Sequence, residues 1–181
     1  MPAGLPGFSA PGAGFEVPLE MLAACHLRIA DQLTTLQRLA AHLREHGSDA
    51  DAQVAAQRVL RYFDTSARDH HADEEDDLFP ALIEAMAGSD AVCLRDMFAA
   101  LATEHREVEA RWQALRAALL RVAAGQAVLL DGAEVRAFAD VYQRHIAREE
   151  AELLPMARRL LSDSELDRIG AAMRARRGIS H

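Results

Sequence analysis

Two stretches of this chain carry the same side chains in the same order. Phe63, His70, Glu74, Glu75, Leu78 and Pro80 recur 75 residues later as Phe138, His145, Glu149, Glu150, Leu153 and Pro155. The segments that precede them repeat as well: Leu22, His26, Ile29 and Leu36 reappear at a spacing of 79 as Leu101, His105, Val108 and Leu115. A chain doubled in this way is built from two related halves, so each segment must be read beside its copy. At 181 residues it is long enough for one sizeable core and too short for two ordinary domains.

Proline and glycine mark where the segments begin and end. Pro2, Pro6, Pro11 and Pro18 crowd the first 18 residues together with Gly4, Gly7, Gly12 and Gly14. Such a stretch predicts an extended N-terminal arm over 1–17, with Phe8 and Phe15 as candidates to pin it to the body. Gly47, Gly88, Gly125, Gly132, Gly170 and Gly178 then fall between or after long runs rich in Ala, Leu, Arg and Glu, residues that favour helix. The expected helices cover about 18–46, 50–86, 90–124 and 132–161, with a short one over 163–177. Ser48 with Asp51, Asp131 with Glu134, and Ser162 with Glu165 resemble capping boxes, and Gly47 and Gly125 suit left-handed C-terminal caps. Short connections make neighbouring helices antiparallel. The fold expected is all-α: an up-down-up-down four-helix bundle over 18–162 built from two repeated hairpins, then a short C-terminal helix and tail over 163–181.

Each long helix carries one apolar stripe at helical spacing, and each stripe contains histidine. The first runs Leu19, Leu22, His26, Ile29, Leu33, Leu36, and the third Phe98, Leu101, His105, Val108, Trp112, Leu115. In the second, His70 and Glu74 interrupt Leu60, Phe63, Ala67, Leu78 and Ala81; in the fourth, His145 and Glu149 interrupt Val135, Phe138, Tyr142, Leu153 and Met156. Burying a carboxylate in an apolar bundle costs several kcal/mol unless its charge is compensated. A cation answers that cost. His26, His70, His105 and His145 with Glu74 and Glu149 offer nitrogen and oxygen donors that suit iron, manganese or zinc. Six ligands are too many for one tetrahedral zinc. They suit two metals, each with two histidines, with both carboxylates bridging and a water, hydroxo or oxo group completing the set.

Composition narrows the alternatives. Asp and Glu number 28 against 20 Lys and Arg, for a net charge of −8, which disfavours nucleic acid as a partner. Mean hydropathy is −0.09, and no run approaches the ~20 apolar residues of a membrane span. No secretory leader pattern is visible, so the cytoplasm is the expected compartment. Cys25 and Cys93 fit no metal or disulfide spacing and are expected as reduced thiols.

One histidine on each of two helices, HxxxE on each of the other two, and LFP (Leu78 to Pro80) and LLP (Leu153 to Pro155) after them resemble the hemerythrin-like, HHE cation-binding domain over about residues 18–161. The resemblance implies a four-helix bundle around a non-haem di-iron centre, two iron ions cycling between ferrous and ferric states. Oxygen, nitric oxide and peroxide are the small molecules it implies, in binding, sensing or iron storage. An oxidoreductase or iron–sulfur cluster repair enzyme on the same centre is the alternative, and a metal that only staples the fold is a third. In the oxygen-carrying hemerythrins the third helix carries HxxxH, whereas here Leu101 stands one turn before His105. His71, beside a ligand, is the candidate to replace that nitrogen. Glu75 and Glu150 lie about 100° from the stripe centres and are expected to face solvent or support the ligands. The outward members of the Asp73 to Asp77 run are expected as a solvated face with Glu74 alone inward, and the C-terminal helix, with Arg168, Arg174, Arg176 and Arg177, as solvated too.

Overall fold

The computed structural model describes residues 14–86 and 91–179. Among these described residues the helical segments are, in chain order, α1 (Pro18–His46), α2 (Ala50–Asp64), α3 (Ser66–Ala72), π1 (Asp73–Leu78), α4 (Phe79–Ala85), α5 (Ala91–Ala123), α6 (Gly132–Arg148), π2 (Glu149–Leu153), α7 (Leu154–Leu160) and α8 (Asp163–Arg176). Among the described residues there is no strand. No helix there is long and apolar enough to cross a membrane.

The expected ends hold closely. Pro18 opens α1, where its missing N–H costs nothing, and Gly47 closes it at a φ of 70° with its N–H on the Leu43 carbonyl. Gly125 takes the same left-handed φ, at 73°. Ser162 and Glu165 form a complete capping box at α8. Two caps differ from expectation. Asp49, not Ser48, caps α2 by accepting from the Ala52 N–H, and Ser48 Oγ donates instead to the Gln126 carbonyl at 2.6 Å. Asp131 accepts from the Ala133 N–H, so the closed box with Glu134 is absent.

The second and fourth helices are not the uninterrupted α-helices that periodicity suggests. The second breaks at Thr65, whose hydroxyl bonds back to the Arg61 carbonyl at 2.7 Å. Both then widen into a π-turn at the HxxxE glutamate. The Phe79 N–H reaches the Glu74 carbonyl and the Leu154 N–H reaches that of Glu149, five residues back in each case. Pro80 and Pro155 come immediately after and lack the N–H that an α-ladder requires, which favours the rearrangement. The extra residue rotates the remainder of each helix, so Leu154 and Ala157 are fully buried where the α-period had placed Met156, which is half-buried.

Four rods close a ring of contacts: α1 on α2, α2 on α5, α5 on α6, and α6 back on α1. The core inside falls into two apolar clusters. One gathers Ile29, Phe63, Val108, Trp112, Phe138 and Tyr142. The other gathers Leu22, Leu78, Leu82, Phe98, Leu101 and Leu153. On every rod the polar residues lie between a member of the first cluster and a member of the second, so a polar layer crosses the bundle.

The C-terminal helix corrects the expectation of a solvated element. It packs on α1 and π1 with Ile169, Gly170 and Met173 buried. Gly170 is required there, because a Cβ would meet the Phe15 carbonyl oxygen at 2.0 Å. Phe15 packs on the second cluster with the Arg177 guanidinium 5.7 Å from its ring centroid. Residues 1–13 of the expected arm, including Phe8, lie outside the described residues, as does Gly88.

Candidate metal centre

All six residues singled out by the repeat converge in the polar layer. His26, His70, Glu74, His105, His145 and Glu149 are each at most 3% exposed. Their donor atoms form two groups, His26, His70, Glu74 and Glu149 in one and Glu74, His105, His145 and Glu149 in the other, within 4.8 Å in each. The two carboxylates are common to both. Glu149 lies 2.9 Å from His145 Nε2 and 3.2 Å from His26 Nε2, and Glu74 lies 3.4 Å from His105 Nε2. The Nε2 atoms of His105 and His145 are 2.9 Å apart.

Three of the four imidazoles are held from behind by carboxylates. His26 Nδ1 donates to Glu150 at 2.6 Å, His105 Nδ1 to Glu75 at 2.7 Å, and His145 Nδ1 to Glu104 at 2.8 Å. A carboxylate only accepts, so each contact puts a proton on Nδ1 and turns Nε2 inward, where it can serve a metal once deprotonated. Arg148 steadies Glu104 with a bond of 3.0 Å. Glu75 and Glu150 therefore support the ligands, Glu75 from a half-buried position and Glu150 while exposed to solvent.

Donor atoms that the protein itself leaves unused are concentrated here. Among the described residues, the buried side-chain atoms without a hydrogen-bond partner are His26 Nε2, both ring nitrogens of His70, His71 Nε2, Gln32 Oε1 and all four carboxylate oxygens of Glu74 and Glu149. Unpaired buried acceptors cost free energy, and bound cations would satisfy the carboxylate oxygens of Glu74 and Glu149 and one nitrogen of each histidine in the two groups. The residues fit a metal.

Charges in the cluster are strongly displaced. Burial lowers the pKa of His26, but its contacts with Glu149 and Glu150 outweigh this and raise it to about 9. The same opposition at His105, against Glu149 and Glu74, ends at about 10. Burial and then the negative charge of Glu149 push Glu74 up to about 7. Burial lowers His70 well below the usual histidine range.

His71 stacks on His105, with ring centroids 4.0 Å apart and planes 12° apart. One of its nitrogens lies within 4.8 Å of donor nitrogens of His105 and His145, so the three form a further group able to hold a metal, and its Nε2 is buried without a hydrogen-bond partner among the described residues. Tyr142 packs with Phe63 and Phe138 and lies over His71. Leu101 belongs to the apolar core. Cys25 is buried, with Arg28 donating to its sulfur at 3.5 Å, and Cys93 is an exposed thiol.

Asp73 and Glu104 add to the centre beyond the residues that the pattern marks. Asp73 is fully buried, which corrects the reading of Glu74 as the lone inward member of the acidic run. It accepts from Arg176 and, at 2.6 Å and 3.1 Å, from Arg177, while Arg176 also reaches Asp77 at 2.9 Å. α8 packs over π1 at this point, and its two arginines compensate the Asp73 carboxylate. Glu104 escapes the pattern because it sits one residue off the stripe, and its repeat counterpart, Cys25, carries no acid to flag it.

Two clefts run up to the outer side of the centre, where the backing carboxylates stand. One, of about 670 Å³ between α1 and α6, is lined by Leu27, Ala30, Leu33 and Ile146 and opens on His26 and Glu150. The other, about 270 Å³, is lined by Arg68, His71, Arg106 and Glu109 and opens on His105 and Glu75.

Comparison with known proteins agrees with this geometry. Residues 17–157 match the family described as hemerythrin HHE cation binding domain. An uncharacterized protein of Haemophilus influenzae is 32% identical over 167 residues, which is 92% of this chain and 94% of that protein.

Proposed function

This chain belongs to the hemerythrin HHE cation-binding family, and on that premise we propose that it is a non-haem di-iron protein that reacts with or senses oxygen, peroxide or nitric oxide. The observation that carries the reading is that Glu74 and Glu149 belong to both donor groups, as bridging ligands must. In this reading His26 and His70 hold one ion, and His105 and His145 hold the other. The proposed architecture is an up-down-up-down four-helix bundle over 18–162, with the arm over 1–17 and the helix over 163–181 added to it. A cytoplasmic site of action belongs to the same proposal.

Paired iron would supply one-electron chemistry and a coordination position for a small ligand; zinc or manganese would fit the same donors. The protein's own part is to fix each imidazole by its Nδ1 bond, to exclude bulk water with the two apolar clusters, and to admit small molecules through the clefts. Those clefts favour a reactive centre, whether sensor, store or oxidoreductase, over a metal that only staples the fold.

Optical titration of the reduced protein against oxygen, peroxide and nitric oxide tests the proposal. The reduced protein is expected to be oxidised by oxygen without releasing it again. Leu101 offers carbon where the oxygen carriers place a nitrogen, so no histidine from that position completes one ion's shell, and both ions would keep an exchangeable position. After oxygen is added and then removed under argon, the charge-transfer absorption should persist. Full return of the colourless diferrous form over repeated cycles would contradict this and implicate His71, to be checked with His71→Leu.

Protons and metal compete for the same inward nitrogens, which gives a second expectation with a definite sign. The raised pKa values of His26 and His105 stabilise the metal-stripped fold fully below the ordinary value of 6.5, and that contribution is lost as pH rises through about 9 to 10. Metal binding requires the deprotonated rings. The gain in Tm on adding metal should therefore widen between about pH 6.5 and about pH 9, and uptake near neutrality should release protons. A gain independent of pH, with no proton release, would count against the site.

A further inference from the structure

The repeat that doubles the ligands does not double what stands behind them. His145 is backed by Glu104, itself held by Arg148. At the same two repeat offsets, the counterparts of Glu104 and Arg148 are Cys25 and Asp73. Neither does the equivalent work. Cys25 offers no carboxylate, and Asp73 is taken up by Arg176 and Arg177. His70 Nδ1 is accordingly buried without a hydrogen-bond partner among the described residues. The other pair of histidines stays symmetric, with Glu150 behind His26 and Glu75 behind His105.

The two donor groups thus differ by one backing carboxylate. A carboxylate on Nδ1–H fixes the ring and raises the donor strength of Nε2, and losing such a partner typically weakens metal binding about 10–100-fold. We infer that the two metal positions are unequal: the position of His105 and His145, with both rings backed, fills first and holds its ion tightly, whereas that of His26 and His70 fills second and exchanges. The labile position is also the one beside the larger, apolar cleft. Glu104 and Arg148 act here as positioning residues. The inference rests on the dinuclear reading above.

The test is an anaerobic titration of the metal-stripped full chain with Co²⁺ alone, read by its visible absorption and by competition with a chelator. Two separable equivalents are expected, with affinities about 10–100-fold apart. Glu104→Ala should weaken the first equivalent by a similar factor, so that the two phases merge, and Glu104→Gln, which can still accept the Nδ1–H, should recover part of the loss. Glu150→Ala should leave the first equivalent unchanged and weaken the second, widening the gap. Two equivalents of equal affinity in the unaltered chain would overturn the inference, as would a first equivalent weakened by Glu150→Ala. A total of one equivalent would instead remove the dinuclear reading, and the inference with it.

Discussion

Glu149→Ala is expected to abolish stable binding of both ions, a loss well beyond that from any residue behind the ligands. Its carboxylate belongs to both donor groups and lies within 3.7 Å of His26, His105 and His145. Removing it takes an oxygen from each position and also the one anion that faces three imidazoles. Glu74→Ala should act in the same direction, since Glu74 is likewise shared. Glu75→Ala and Glu150→Ala should cost only about 10–100-fold in affinity, because each frees one ring to turn without removing a ligand. Metal content after dialysis against a weak chelator measures the order. Equal losses from the inward and the supporting glutamates would mean that the donor assignment is wrong by one residue along the helix.

The second large effect is on stability, and it arises away from the ligands. Asp73 is fully buried and compensated by Arg176 and Arg177. Removing the partners of a buried charge typically costs about 3–5 kcal/mol. For the double variant Arg176→Ala with Arg177→Ala, this corresponds to a fall in Tm of roughly 6–20 °C in a chain of this length. Burial pushes the Asp73 carboxyl up even with the arginines pulling it down, so the stranded group can escape by taking a proton. The deficit should therefore shrink in acid. Asp73→Asn in the double-variant background should restore most of the loss by removing the charge. A double variant that melts within about 2 °C of the parent, an effect below 1 kcal/mol, would show that the cluster contributes little. Asp73 immediately precedes Glu74, so the same contacts anchor the π-turn that presents a ligand.

Much of this arrangement is legible before any coordinates. The apolar stripes through Leu22, Ile29, Phe98 and Trp112 place four faces inward, and the histidines and glutamates that interrupt them stand out because each has a copy in the other half. What escapes is whatever depends on a local change of helical pitch or on a distant partner. A fixed period of 3.6 residues cannot anticipate π1 and π2, and so it chooses Met156 over Leu154 and Ala157. Pro80 and Pro155 are the available signal for the disturbance. The docking of α8 depends on Arg176 and Arg177 meeting an aspartate about a hundred residues earlier, and local pattern carries no trace of such a pairing. Glu104 is hidden for another reason: the comparison of halves that reveals the ligands conceals a residue present in one half only.

The measurement that bears most directly on the central claim is the number of metal ions per chain. Protein expressed with iron supplied should contain two iron atoms per chain by elemental analysis, and the count should fall to zero with Glu149→Ala. Saturation at one ion, with His105 and His145 replaceable without loss, would contradict a dinuclear centre shared by the two halves of the bundle.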